Sequence, residues 1–480
     1  MKKIITALLI GFVCAGFAAP SEKNTRMNIL VYPFEVSGKD KYSWIAAGLT
    51  DTVISDLNGI RDIYVFSESD RKKALQEITL GMTGVIKEGD IVRIGKVMGA
   101  TMIFTGSVQT AGTKVRVNAK LINIETTRVE KSVKLDGTVD AIFDLQDKVV
   151  LSLMNGSGNN EIDSGIKNRK DNQGKNPSGE VYELYSRGLE LNETDPRKAL
   201  EFFLKALAAD PEYLDALIKT GSLYDDLEQF DEALACLAKA EEVLNKRGSQ
   251  NTAEYAETMN NTGVVYRDMG DHEKALEYYF KSQKIRENLK LADTVNYAET
   301  SSNIGIVYVD TGKYDKALEY YLASEKILSS INFQNSSKYA ILLNNIGGVY
   351  WSTGNSDMAL KFYLQSQEIR DRLELQRTQG YAYLMNNIGG VCWKKGDNSK
   401  AIQYYVKSQE IRDWLGLQNT ESYTTLMSNI ALTYYKRLND PCKGAEYMKK
   451  CIEIDQKNNF LKLPSDMKDY KAMEEACRNK

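Results

Sequence analysis

The chain has 480 residues, 42% of them hydrophobic, with 62 basic and 65 acidic side chains. That length predicts more than one domain, and the hydrophobic share suffices for packed cores. A net charge of −3 leaves no basic footprint for nucleic acid, and a single histidine, His272, argues against multi-histidine metal sites and histidine-based catalysis.

The chain opens with MKKIITALLIGFVCAGFAAP: two lysines, an apolar run from Ile4 to Phe17, then small residues. This reads as a secretory signal peptide over residues 1–18, with cleavage expected after Ala18. Cys14 leaves lipidation open, although "GFVC" lacks the leucine and small residues of a lipobox. No other segment reaches the roughly 18 apolar residues of a membrane helix. The mature chain is expected to be exported and periplasmic or outer-membrane-associated in a bacterium. Five cysteines would remain, an odd number without tight spacing, which does not describe a disulfide framework. Cys392 and Cys451 are expected at small or apolar packing positions.

Residues 27–154 alternate between extended and helical patterns. MNILVYPFEV and DIYVFSE read as strands. SWIAAGLTDTVISDLNG reads as a helix capped by Ser43 and closed by Gly59. SDRKKALQEI and EGDIVRIGKVMG follow as helices, the second closed by Gly99. ATMIFTGSVQ, KVRVNAKLINIE and RVEKSVKLDG predict an antiparallel meander with turns at Ala111-Gly112 and Thr126-Thr127. VDAIFDLQDKVVLSLM is a last helix. The sum is a layered α/β domain with a mixed sheet. GDIVRIGKV, 89–97, has the wrong spacing for a phosphate loop, with Val97 where Ser or Thr is needed; it reads as amphipathic helix. No GxSxG, HExxH or CxxC occurs, so no cofactor, metal or enzymatic activity is expected.

The blocks ILVYPFEVSG, WIAAGLTDTVISDL, IGKVMGATMIFTGSV and VRVNAKLINIETTRV resemble the envelope domain shared by TolB N-terminal, FlgO and CsgG proteins. The resemblance implies a domain that docks to an envelope assembly or self-associates. No pair of long hairpins with alternating lipid-facing residues accompanies it, so a pore is not implied.

Residues 155–180 are rich in Gly, Asn and charge, with two aliphatics, Ile162 and Ile166, and read as a flexible linker. Charge also divides here: residues 19–154 carry 18 basic and 17 acidic groups, residues 181–480 carry 38 and 44. The acidic second half mildly favours basic partners.

From 181 the chain repeats itself. Gly263, Gly305, Gly347 and Gly389 recur every 42 residues, as do Gly270, Gly312, Gly354 and Gly396. Ala275, Ala317, Ala359 and Ala401 keep the same period, as do Tyr279, Tyr321, Tyr363 and Tyr405. This predicts stacked helix pairs: small residues for close approach, tyrosines in the space between, a turn glycine joining the two. The order resembles the tetratricopeptide repeat (TPR), in the 42-residue form of kinesin light chains. Seven repeats are expected over 181–457, with a capping helix over 458–480. In the last repeat Leu438 takes the turn-glycine place, one residue is inserted, and Gly444 takes the alanine place. The fold class is thus an α/β domain with a mixed sheet, a flexible linker and an all-α TPR superhelical solenoid.

At about 100° per residue, Ile346, Gly347 and Tyr350 share one stripe, while Asn344, Asn345 and Trp351 look away from it. The first-helix face away from the stripe carries Asn261, Asn303, Asn344, Asn345, Asn386, Asn387 and Asn429, with Trp351 and Trp393 beside it. In TPR proteins that face lines the concave groove. Amides there can pair with an extended peptide, or form a structural ladder between helices. The tryptophans can anchor a ligand or pack between repeats. The clamp asparagine of carboxylate-binding TPR proteins is replaced by Val264, Ile306, Gly348, Gly390 and Leu432, which argues against a C-terminal tail as ligand. The expected function is a non-enzymatic scaffold for protein partners or an extended segment of one. Outer-membrane or cell-envelope assembly proteins are among the expected partners; the alternative is a component of a CsgG-like secretion or outer-membrane assembly apparatus.

Overall fold

The computed structural model describes residues 26–37, 41–58, 60, 62–79, 88–154, 177–458, 460 and 463–480. The expected signal peptide and nearly all of the expected linker lie outside the described residues.

The first half forms a mixed sheet from β1 (Met27–Val31), β2 (Glu35–Ser37), β3 (Ile63–Val65), β4 (Met102–Ala111), β5 (Lys114–Asn123) and β6 (Val129–Thr138). The order is β3-β1-β4-β5-β6, with β2 also beside β4. The β1 pairings are parallel (Ile29 opposite Val65 and Met102), and β4-β5-β6 is the expected antiparallel meander. Alternation along the strands sends Ile29, Val31, Phe104 and Val117 to one core, shared with α1 (Trp44–Leu57) and α4 (Ile142–Met154). Leu30, Ile103 and Ile122 go to the other, shared with α2 (Glu68–Thr79) and α3 (Glu88–Met98). The domain is therefore three-layered, and 89–97 is helix. The expected Ser43 cap is not formed. Ser43 already has helical angles, and the Ile45 N–H bonds the Tyr42 carbonyl, so the chain enters α1 from a preceding turn.

Among the described residues the second half forms seven antiparallel helix pairs and a final helix. They are α5 (Gly179–Leu191) and α6 (Pro196–Ala209), α7 (Leu214–Asp226) and α8 (Phe230–Lys246), α9 (Ala253–Asp268) and α10 (His272–Asn288), α11 (Val295–Asp310) and α12 (Tyr314–Ser330). Then come α13 (Ser337–Ser352) and α14 (Ser356–Arg372), α15 (Gln379–Lys394) and α16 (Asn398–Trp414), α17 (Glu421–Arg437) and α18 (Pro441–Asn458), and α19 (Leu463–Arg478). A Thr or Ser hydroxyl caps the first helix of repeats 3 to 7: Thr252, Thr294, Ser336, Thr378 and Thr420. Gly270, Gly312, Gly354 and Gly396 hold φ between 70° and 85°, the left-handed turn that side chains disfavour. In the seventh repeat Asn439 takes this conformation, one residue beyond Leu438, which absorbs the insertion.

The glycine–tyrosine pairing is steric. A Cβ on Gly389 would stand 2.6 Å from Tyr405 Cδ1, and the other three pairs are as close. Tyr405 is 3% exposed. Gly389→Val is expected to destabilise the array by roughly 1–3 kcal/mol through overpacking. Far-UV thermal melts would check this, and Tyr405→Leu in the same chain should restore part of the loss.

The α/β domain is seated on the array at two places. Near the first repeat, α1 packs on α5: Trp44 meets Tyr182 edge-on at 5.9 Å, and Tyr185 donates to Asp51 at 2.7 Å. Gly48 permits this approach, since a Cβ would stand 2.4 Å from Ser186 Oγ. On the opposite layer, Phe333, in the loop joining α12 to α13, stacks on Phe66 (5.9 Å) and abuts Tyr64 (5.8 Å). Gly99 (φ 81°) touches Ser336 of the same loop. Ion pairs fill the span between: Arg26–Asp293, Arg71–Glu193, Lys219–Glu68 and Lys338–Asp70. The early and middle repeats thus hold the domain between two contact regions.

Candidate functional site

The 42-residue period places equivalent first-helix residues side by side on α11, α13, α15 and α17. Ile346 and Gly347, like Ile388 and Gly389, are buried toward their partner helices, while each asparagine pair lies half-buried on the other side. The amides link neighbouring repeats. Asn387 Nδ2 donates to Asn344 Oδ1 at 3.3 Å, Asn429 Nδ2 to Asn386 Oδ1 at 3.2 Å, and Asn303 Nδ2 to Asn260 Oδ1 at 3.5 Å. The ladder is broken between repeats four and five. Residue 302, where the acceptor for Asn345 would stand, is a serine bonded to Ser324. Asn261 takes no part in it. Glu257, one turn before Asn261, accepts from Asn58 of the α/β domain at 3.0 Å.

Beyond repeat four the groove opens into a cavity of about 330 Å³. Trp351, Asn386, Asn387, Trp393 and Asn429 line it, with Gly390, Leu432, Thr433 and the rings of Tyr363 and Tyr405. Five of the nine residues singled out from sequence therefore meet at one site. Asn344 supports it from the next rung, while Asn261, Asn303 and Asn345 do not line it. Sequence reasoning missed Thr433, and it read Leu432 and Gly390 only as positions that lack the clamp asparagine. The missed signal was the second glycine. Gly389 is required by packing, but a Cβ on Gly390 would meet nothing closer than Tyr405 Oη at 3.7 Å and Trp351 Cζ2 at 3.9 Å. Gly390 leaves open space beside the indole.

Each tryptophan serves two neighbours. Lys394 of the next repeat sits 4.8 Å over Trp351, and Arg437 sits 4.6 Å over Trp393. These contacts fix the rings between repeats while leaving them on the cavity wall. Among the described residues no carboxylate, amine, imidazole or thiol lines the cavity. Burial pushes the Tyr363 hydroxyl up to about 12 and Tyr405 up as well, so both stay protonated at neutral pH. The ladder uses one Nδ2 and one Oδ1 per rung. Among the described residues Asn387 Oδ1 and Asn386 Nδ2 have no further hydrogen-bond partner, and both asparagines line the cavity. The arrangement offers apolar surface and paired amide chemistry, without a group poised to move protons.

Helix pairs of this geometry define an all-helical repeat solenoid. A tetratricopeptide-repeat family model matches residues 212–288, 254–330 and 338–413, so the chain carries tetratricopeptide repeats. A Rhizobium meliloti (strain 1021) protein bearing the name adenylate cyclase 3 is 24% identical over 243 residues. That match covers 48% of this chain and 39% of the relative. Among solved structures, RapI in its apo form is 17% identical, covering 58% of this chain and 98% of RapI, with a TM-score of 0.44. PilF of Pseudomonas aeruginosa is 15% identical (54% and 96%, TM-score 0.39), and BtubC from P. vanneervenii 18% (56% and 92%, TM-score 0.38). Tetratricopeptide-repeat arrays are typically protein-interaction scaffolds without catalytic activity.

Proposed function

We propose that this protein is an exported, non-enzymatic scaffold that captures an extended segment of a partner protein in the groove of repeats five to seven. The observation that carries this reading is the cavity lined by Trp351 and Trp393, with Asn386 and Asn387 on its wall, each keeping one amide atom that the ladder does not use. An extended backbone offers the complementary N–H and C=O at one residue, and an apolar side chain fits between the indoles. The α/β domain, fixed on the earlier repeats, would dock the scaffold to an envelope assembly. Support for export comes from a disulfide, Cys442–Cys477, because such bonds persist in oxidising compartments. A role within a CsgG-like secretion apparatus is the second reading. It draws on β6, an edge strand with Val129 52% exposed, which offers a surface for self-association.

Peptide-display selection on the full chain, followed by fluorescence anisotropy, tests the first reading. Trp393→Ala is expected to weaken a selected peptide by roughly 30-fold or more, as for an interface anchor. Asn387→Ala should weaken it less. Unchanged affinity in both variants, with unchanged melting, would place binding elsewhere. Rings seen by native mass spectrometry, abolished by charge placed on β6, would favour the second.

A further inference from the structure

The end of the solenoid holds a separate group of side chains. Cys451 and Asp455 stand one turn apart on α18, Asp466 lies in the first turn of α19, and Ser428 is on α17. Cys451 Sγ is 3.3 Å from Asp466 Oδ2, 3.6 Å from Asp455 Oδ2 and 3.3 Å from Ser428 Oγ. Cys451 and Asp455 are fully buried, and Asp466 is 7% exposed.

Two carboxylates inside a protein need a counterweight. A buried carboxylate is tolerated when it is paired with a cation, bound to a metal, or neutralised by a proton. Among the described residues no cation pairs with Asp455 or Asp466. Donors are also short. The thiol has one proton and faces the Thr424 carbonyl at 3.4 Å as well as two carboxylate oxygens, the Ser428 hydroxyl lies 3.5 Å from Asp466 Oδ1, and Asp455 Oδ1, wholly buried, has no hydrogen-bond partner.

The spacing fits an ion. Zinc lies about 2.3 Å from thiolate sulfur and about 2.0–2.2 Å from carboxylate oxygen, so a tetrahedral angle sets sulfur and oxygen about 3.5 Å apart. The two observed separations are 3.3 and 3.6 Å. All three donor atoms lie within 4.8 Å of one another. A sulfur ligand and a small donor set disfavour calcium and magnesium, which take more oxygen ligands.

We propose that Cys451, Asp455 and Asp466 bind a divalent transition-metal ion of the zinc type, with the Ser428 hydroxyl or a water as fourth ligand. Binding releases the thiol proton and any proton held by the carboxyl pair. The ion would tie α17, α18 and α19 together, closing the solenoid beside the cavity repeat.

Full-length protein stripped with chelator and dialysed would be titrated with Co²⁺. One equivalent is expected to bind, with a thiolate-to-cobalt charge-transfer band, and Zn²⁺ should displace it. The melting temperature should rise with bound Zn²⁺. Cys451→Ser should abolish the band and Cys392→Ser should keep it. Asp466→Asn should weaken Co²⁺ binding at least roughly tenfold, since a direct ligand matters no less than the outer partners of a metal site. A folded wild-type chain that shows no band overturns the proposal in favour of a shared proton, whatever the variants do. A band that survives Cys451→Ser overturns it too.

Discussion

Lys338→Met is expected to open the contact between the α/β domain and repeats four and five while the α1–α5 contact holds. Lys338 lies in the first turn of α13 and reaches across to Asp70 at 2.8 Å, with Glu299 and the Tyr64 hydroxyl on its other side. The lysine side chain is 24% exposed and that of Asp70 13%. Burial alone would lower the lysine pKa, but Asp70 and Glu299 hold the ammonium protonated well above its usual range. Burial would raise Asp70, and Lys338 outweighs it and holds Asp70 low. Removing one partner of such a pair leaves the other buried without compensation, at a cost of roughly 3–5 kcal/mol when burial is complete. The partial exposure here places the expected loss near the lower figure, which is still about a hundredfold in the docking equilibrium. Hydrogen exchange should rise in the loops near 292–296 and 331–336 and stay unchanged in repeats six and seven. Unchanged exchange in both loops would show that Phe333 and its aromatic neighbours suffice.

Acid should loosen the same interface. Burial would raise the Glu68 carboxyl, but the Lys219 ammonium at 2.8 Å and Asn192 hold it at about 2, against an ordinary 4.5. A depressed carboxyl contributes stability that is complete above its unfolded value and disappears as pH falls toward the folded one. Two and a half units correspond to about 3 kcal/mol, lost between about pH 5 and pH 2. Asp70 shifts in the same direction and adds to the loss. Lys338 works the other way: its contribution is complete below the ordinary lysine value and disappears only in strong alkali. Neutral pH therefore lies inside the stable window.

This interface also explains which parts of the molecule could be read from sequence. The repeats were legible because each Gly–Tyr contact recurs with a fixed period, so one local steric rule is printed several times. The meander β4-β5-β6 followed from apolar runs and turn residues that act locally, while the parallel pairings of β1 with β3 and β4 were not read from sequence. The docking was illegible: Tyr64 meets Glu299 across 235 residues and Lys338 across 274, and no periodicity announces a contact made once. Even so, charge held a trace of it. The array is acidic, and Arg26, Arg71, Lys72 and Arg93 of the α/β domain all pair with its carboxylates. Two pairs run the other way, Lys219–Glu68 and Lys338–Asp70, so the α/β domain supplies only part of the basic partner that an acidic array favours. That contact also narrows the candidate site, since Asn58 holds Glu257 next to Asn261 and leaves the later repeats to form the cavity. Gly390 and the amide ladder show the limit of helical-wheel reasoning, which gives a residue's direction but not its neighbour on the next repeat.

Cys442→Ser with Cys477→Ser is expected to free the end of the solenoid. The sequence suggested no disulfide framework, because an odd cysteine count with wide spacing has no pattern. The structure pairs Cys442, at the start of α18, with Cys477, at the end of α19, 35 residues later. The bond closes a helical hairpin, and chain-entropy reasoning for a loop of that length gives about 4 kcal/mol. In a solenoid each repeat contacts only its neighbours, so the loss should be local. Exchange protection should fall first in α19 and α18, then in α17, whose Asn429 and Leu432 form one wall of the cavity. Dithiothreitol acting on the unmodified chain should reproduce the pattern. Repeats three and four, held by the α/β domain, should keep their protection. Uniform loss along the whole array would mean that it unfolds as one cooperative unit, with the end coupled to every repeat. Loss confined to α19 would mean that packing of Met448 and Met473 is enough to hold α18 in place. The expected intermediate pattern would tie the redox state of the cap to the shape of the peptide groove, through one helix shared by both.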